Sequence, residues 1–339
     1  MIKKALILAS VLLIFSMSYF FYWFGSPNPL NYKETEYILK EGSTFTRVVY
    51  SLEKEDVLSH PNIFIYYAKI IHLTGNLKVG TYLFPKGISP KQVLFKLVFG
   101  DIVTIKVTIP EGLNIYQSAD VLSQYFYKID KKEWIKIAHS QELIRFLGYD
   151  LNIKNLEGFL FPETYIFDPN LAPIQVIKAL IIEFKKNISI EMFAKAKKLG
   201  LSPIQYITLA SIVEKETGVS RERERVAGVY WNRLKIKMKL QADPTVIYGM
   251  GAKYKGKITK KDLLTPTPYN TYTNYGLPPG PIASPGKASL KAILNPTLSQ
   301  ELYFVAKGDG SHVFSHNLAE HNKAVKKYII FLKASKHRE

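Results

Sequence analysis

Cysteine is absent from all 339 residues, which excludes disulfide staples and thiolate metal sites; a domain exported from the cell must then be held by its apolar core alone. Also missing are a Gly-rich phosphate loop, a serine nucleophile elbow and a dinucleotide fingerprint, so no cofactor is expected. Acidic residues are scarce beside basic ones, 28 Asp and Glu against 46 Lys and Arg, for a formal net charge of +18. A surplus of that size can attract nucleic acid. Here the lysines are scattered and the apolar run at the start of the chain implies that the residues after it lie outside the cytoplasm, so no nucleic-acid partner is expected; anionic lipid headgroups or acidic wall polymers suit the charge better.

What is abundant comes first in the chain. Ala5 to Phe24 reads ALILASVLLIFSMSYFFYWF without a charge, and about 20 apolar residues suffice for a helix to cross a bilayer core. Lys3 and Lys4 precede it and favour a cytoplasmic N-terminus, while the cluster Tyr19 to Trp23 suits the far interface. A cleaved signal would end in small residues; this run ends in bulky aromatics followed by Gly-Ser-Pro-Asn-Pro, so an uncleaved single-pass anchor is expected.

The remaining chain, in a sequence that is 47% hydrophobic, has enough apolar material for two compact domains. From Tyr37 the pattern is strand, a turn at Glu41-Gly42, then a helix with Phe45, Val48, Val49 and Leu52 on one side. A strand near Val79 to Phe84 and a helix capped by Ser89 and opened by Pro90 follow. This order resembles the small glycan-binding module called LysM. Further helices are predicted near 117–127, 131–138, 173–186, 190–199, 203–217 and 221–234. Thr265 to Gly286 has neither helical nor strand period and is rich in Pro, so an ordered loop system is expected there. A helix near Ser289 to Leu294, two strands around Gly308-Asp309-Gly310 and a last helix from Leu318 to Leu332 complete the reading. The fold class expected is α+β: tail 1–4, membrane anchor 5–24, linker 25–36, a LysM-like module 37–108, and a mixed α+β catalytic domain 109–339 with long Pro/Gly-rich loops.

Chemistry is suggested by the helix that Ser202-Pro203 opens. Ile207, Ala210, Ser211 and Glu214 fall on one face, and Tyr206, Leu209, Val213 and Glu216 on the next. A carboxyl among apolar residues loses solvation of its charged form and can hold a proton near neutral pH, as a general acid must. The plainer alternative is a pair of helix-end carboxylates in surface ion pairs with neighbouring Lys and Arg.

The segments ASIVEKET, RVAGVYWNRL, LQADPTVIYG, TPYNTY, GLPPGPIASPG and LYFVAKGDGSHVFSHNLAEHN, in that order, closely resemble the YceG-like family, the endolytic murein transglycosylases. The resemblance implies a membrane-anchored lyase, facing the periplasm or cell exterior, that cuts nascent peptidoglycan strands internally between N-acetylmuramic acid and N-acetylglucosamine and leaves 1,6-anhydro ends. It implies peptidoglycan synthases as partners and places the catalytic role on Glu214. Substrate contacts are expected from Glu157, Glu216, Asn232, Gln241, Asp243, Thr245, Asn270 and Tyr272, for which core packing or turn scaffolding is the open alternative. A membrane-tethered, non-catalytic wall-binding scaffold is the competing function. His312, His316 and His321 lack metal-site spacing, and no metal is expected.

Overall fold

The computed structural model describes residues 2–149 and 152–336; Met1 of the expected tail, and residues 150–151 and 337–339 of the expected catalytic domain, lie outside them. The chain forms two compact units, the first comprising Met1–Lys106 with Ile166–Ala172, the second Val107–Tyr165 with Pro173–Glu339. Both are mixed α and β.

In the first unit, α1 (Ile2–Gly25) is long and apolar enough to cross a membrane. It is followed by β1 (Thr35–Leu39), α2 (Phe45–Lys54), α3 (Pro61–Ile70), β2 (Gly80–Phe84), α4 (Pro90–Phe99) and the start of β3 (Ile105–Thr108). The strand–helix–helix–strand order closes as an antiparallel ladder pairing Thr35 with Phe84 and Leu39 with Gly80. Phe45, Val48, Val49 and Leu52 of α2 are all buried, as their spacing predicts. Ser89 and Gln92 form a reciprocal capping box that starts α4. The expected linker is tied down in part: the Asn28 side chain donates to the carbonyls of Asp56 and Val57 at 3.1 Å each. The returning segment adds Asp168, which accepts from the Thr81 hydroxyl at 2.7 Å.

In the second unit, β3 pairs with β4 (Thr164–Phe167). Between them lie α5 (Ile115–Tyr125), α6 (Lys131–Ala138) and α7 (Gln141–Leu147). The helical body comprises α8 (Pro173–Asn187), α9 (Ile190–Lys198), α10 (Pro203–Glu216), α11 (Arg223–Lys235), α12 (Asp243–Met250), α13 (Lys260–Leu264) and α14 (Lys287–Leu294). The hairpin β5 (Tyr303–Ala306) and β6 (His312–Ser315) and the helix α15 (Leu318–Lys336) end it. Three of these helices, α7, α12 and α13, went unread in the sequence, α13 because its 5 residues are too few to display a period. α12 hid because Pro244 beside Gly249 and Gly251 reads as a turn, although a proline in the first turn costs a helix nothing. α7 is only 7 residues long, too short to display a period. The segment 265–286 contains neither helix nor strand.

The centre of the second unit is α10. Residues Tyr206 to Val213 are all buried, so the helix is apolar all round, and α9, α11, α12 and α14 pack against it. Burying side chains of this size contributes about 1.5–3 kcal/mol each. Its capping box, Ser202 with Gln205, and its first-turn Pro203 fix where it begins. The core therefore fixes where its last turn, carrying Glu214 and Glu216, must emerge.

Candidate functional site

Glu216 lines a cavity of about 340 Å³ together with Tyr230, Arg233, Gln241, Asp243, Tyr272, Tyr303, Phe304, Leu318 and His321. Burial pushes its carboxyl up to about 7; Tyr230, which donates a hydrogen bond, opposes this, and the charge of Asp243 adds to it. Asp243, at the first turn of α12, accepts from the Tyr272 hydroxyl at 2.5 Å. Tyr272 comes from the 265–286 loop, so that loop closes one wall. The opposite wall is the hairpin. Arg233 donates to the carbonyls of Leu302 at 2.7 Å and Leu240 at 2.6 Å, drawing Tyr303 and the chain before Asp243 to the same place. His321 stacks on Tyr303, its imidazole pKa depressed by burial and by Arg233, and its Nδ1 is buried without a partner.

Glu214 points elsewhere. Its side chain is 5% exposed, accepts from the backbone N–H of Gly286 at 2.9 Å and lies 3.4 Å from Arg223. The same guanidinium lies 3.6 Å from Glu111. Burial and the charge of Glu214 raise the Glu111 pKa, against the lowering by Arg223. The Glu111 side chain lies over Gly286, where an added Cβ would fall 1.8 Å from a carboxylate oxygen, so any larger residue at 286 would displace that side chain. Lys215, between the two glutamates, donates to the Gly112 carbonyl at 3.0 Å. With Tyr116, Pro244, Tyr248 and Tyr254 it lines a second cavity, of about 680 Å³. The two cavities thus meet consecutive residues, Lys215 and Glu216 on α10 and Pro244 and Asp243 on α12.

The YceG-like family profile matches residues 37–327, across both units and every element of both cavities. The chain belongs to the YceG-like family. It is 37% identical over 306 residues to a Bacillus subtilis protein named endolytic murein transglycosylase, covering 86% of this chain and 84% of that one. A Streptococcus pneumoniae protein of the same name is 30% identical over 336 residues, with 60% of its length matched. The crystal structure of a yceG-like protein from Listeria monocytogenes superposes with a TM-score of 0.59 at 35% identity, over 86% of this chain and 99% of that one.

Within this member of the family, the residues expected to touch substrate divide into two sets. Glu216, Gln241, Asp243 and Tyr272 converge on one cavity. The others are occupied by the fold. Glu157 is 3% exposed, accepts from the Ile115 N–H at 3.2 Å and from the Tyr248 hydroxyl at 3.0 Å, and its carboxyl is pushed up to about 7 by burial. It supports a wall of the larger cavity through Tyr248. Thr245 is fully buried against the Ala242 carbonyl and the Thr271 hydroxyl. Asn270 is fully buried too, and its amide donates to the carbonyls of Leu263 at 3.0 Å and Thr265 at 2.8 Å, the turn-scaffold alternative. Asn232 donates to the carbonyls of Ser299 at 2.8 Å and Glu301 at 2.9 Å, so it holds the approach to β5.

His312 pairs with Glu222 at 2.7 Å, away from His321 on Tyr303. Among the described residues no group of three or more His, Asp or Glu could hold a metal ion. Glu111, Arg223, Tyr230, Arg233 and Tyr303 went unselected in the sequence. Only Glu111, in the turn phrase IPEG, carried a local signal, and that signal read as a turn.

Proposed function

We propose that the chain is a membrane-anchored endolytic murein transglycosylase whose proton donor is Glu216. The observation that carries the choice is a carboxyl held up to about 7 in a cavity between α10, α11, α12 and the hairpin, where a general acid would keep its proton in about half of the molecules at neutral pH. This moves the role two residues from Glu214, whose carboxylate is engaged by Arg223 and the Gly286 N–H.

In the proposed reaction, Glu216 gives its proton to the oxygen joining N-acetylmuramic acid to N-acetylglucosamine, and the bond from C1 to that oxygen breaks. Positive charge that develops at C1 is stabilised by Asp243, oriented by Tyr272. The C6 hydroxyl oxygen of the muramoyl ring then bonds to C1 and its proton returns to the Glu216 carboxylate. The product carries a 1,6-anhydro ring, no water is consumed and the acid is regenerated. One carboxyl in two successive roles suffices, in contrast to hydrolytic glycosidases, which use two at a set separation.

The reading keeps α1 as a single-pass anchor with a cytoplasmic N-terminus, the rest of the chain in the periplasm or outside the cell, and peptidoglycan synthases as partners. Domain bounds remain 5–24 for the anchor, 25–36 for the linker, 37–108 for a LysM-like module and 109–339 for the catalytic region. The β1–α2–α3–β2 order supports the module's resemblance, and glycan binding by it is part of the proposal.

The test is digestion of un-crosslinked glycan strands by the full-length chain, with Glu214→Gln and Glu216→Gln alongside. Anhydromuramoyl ends, lost in Glu216→Gln, support the reading. Reducing ends would mean hydrolysis, loss confined to Glu214→Gln would return the acid to Glu214, and binding without cleavage would favour the wall-binding scaffold.

A further inference from the structure

The helix α3, PNIFIYYAKI, has apolar side chains on two sides and only one of them is covered by protein. Phe64, Ile65 and Ala68 are buried in the core of the first unit. Ile63, Tyr66 and Ile70, spaced i, i+3 and i+7, are 45%, 69% and 57% exposed. At 3.6 residues per turn these three form one stripe. On one border of the stripe stands Tyr67; on the other stand the polar Asn62 and Lys69. A soluble helix with this sequence would be expected to bury both apolar faces or to carry only one.

Tyr67 shows what lies beside the stripe. Its ring packs 5.1 Å from Phe20 and 4.7 Å from Phe24, both on α1. The neighbouring Trp23 packs 5.6 Å from His60 and donates its indole N–H to Ser59 at 3.0 Å. Phe24 belongs to the unit's core at 6% exposure. The apolar helix runs unbroken from Ile2 to Gly25, so its last turn is fastened to α3 by aromatic packing. If α1 crosses a bilayer, Phe20 to Phe24 sit at the interface where aromatic residues collect, and α3 is held at that depth.

We infer that α3 lies in the headgroup region of the bilayer, with Ile63, Tyr66 and Ile70 inserted towards the acyl chains and Lys69 directed to phosphate. The occupant of the stripe is lipid because the stripe continues the apolar surface of the spanning helix around Tyr67, with the one cation of α3 on its far border. Such a contact makes a second attachment beside the anchor and fixes how the first unit stands on the membrane. It rests on the reading of α1 as a spanning helix.

Because the chain has no cysteine, single sites can be labelled in the full-length protein. A fluorophore is placed in turn at Leu12→Cys in α1, Tyr66→Cys, Ile70→Cys, and Glu41→Cys in the exposed turn after β1. Each protein is reconstituted in phosphatidylcholine–phosphatidylglycerol vesicles containing lipids with nitroxide-labelled chains. The expected result is strong quenching at Leu12 and quenching at Tyr66 and Ile70 at least about twofold above that at Glu41, as shallow insertion requires. Quenching at Leu12 with Tyr66 and Ile70 no different from Glu41 overturns the α3 contact and leaves the anchor standing. An unquenched Leu12 overturns the anchor and the contact with it. Tyr66 and Ile70 shielded from aqueous iodide but not reached by lipid quencher also overturns the contact, since a second copy of the chain then covers the stripe.

Discussion

Glu214 and Glu216, two residues apart in the last turn of α10, face different surroundings: the first accepts from the Gly286 N–H at 2.9 Å beside Arg223, and the second lines a cavity with Tyr230 and Asp243. A separation of about 200° around the helix axis is what two residues produce. One carboxylate is fastened to the 282–286 loop and the other is left with a raised pKa, so the shared motif divides into a clasped half and a cavity-facing half.

The acid limb is the first prediction. With Glu216 held up to about 7, the protonated form is lost as pH rises through that value. The cleavage rate, as kcat/KM on glycan strands, should fall about tenfold per unit well above it. Glu216→Gln should lower the rate by roughly 10²–10⁴-fold with an unchanged melting curve.

Asp243→Asn should shift that limb to lower pH. Asp243 contributes to raising the Glu216 carboxyl, and removing its charge lowers the cost of ionising its neighbour. A pH-rate profile on the variant checks the direction; an unmoved limb would show that the two carboxyls do not interact.

Stability should also respond to pH through Glu157. Its carboxyl moves from an unfolded value of 4.5 to about 7 in the fold, so the folded state binds the proton more tightly. Stability is therefore greatest at low pH, declines between about 4.5 and 7, and is level above. The span corresponds to about 3 kcal/mol. Glu157→Gln, which mimics the protonated form, should flatten this slope in urea titrations at pH 5 and pH 8.

Asn270→Ala and Gln241→Ala should separate scaffold from contact. Removing the buried Asn270 amide leaves the carbonyls of Leu263 and Thr265 without their donor, a loss of about 2–3 kcal/mol visible in thermal melts. Gln241 has an exposed side chain on the cavity rim; its replacement should raise KM and leave the melt unchanged.

Gly158→Ala should destabilise by about 2–4 kcal/mol. The residue has φ +83, and a Cβ would lie 2.6 Å from the ring of Pro281, which cannot swing away. Denaturant midpoints measure the loss; a change below about 0.5 kcal/mol would show that the 281 loop gives way.

Most elements were legible because each has a local cause. Capping boxes at Ser89 and Ser202, first-turn prolines and the buried face Phe45, Val48, Val49 and Leu52 announce themselves at short range. α12 was lost because Pro244 and its nearby glycines serve a turn and a helix start equally well. Thr245 and Asn270 look in sequence like sugar-binding groups, since a short polar side chain is the same whether it holds a ligand or a loop.

The sequence alone determined the chain's family through its ordered motifs, a continuous apolar run at its start, and a core helix ending in two glutamates. These are short-range matters of composition, period and cap. Which glutamate meets a cavity, and which is clasped by Arg223 and Gly286, was decided only by tertiary structure. The deciding partners, Glu111, Arg233, Tyr272 and Tyr303, are drawn from four distant segments, and the desolvation that raises a carboxyl pKa exists only after those segments have packed together.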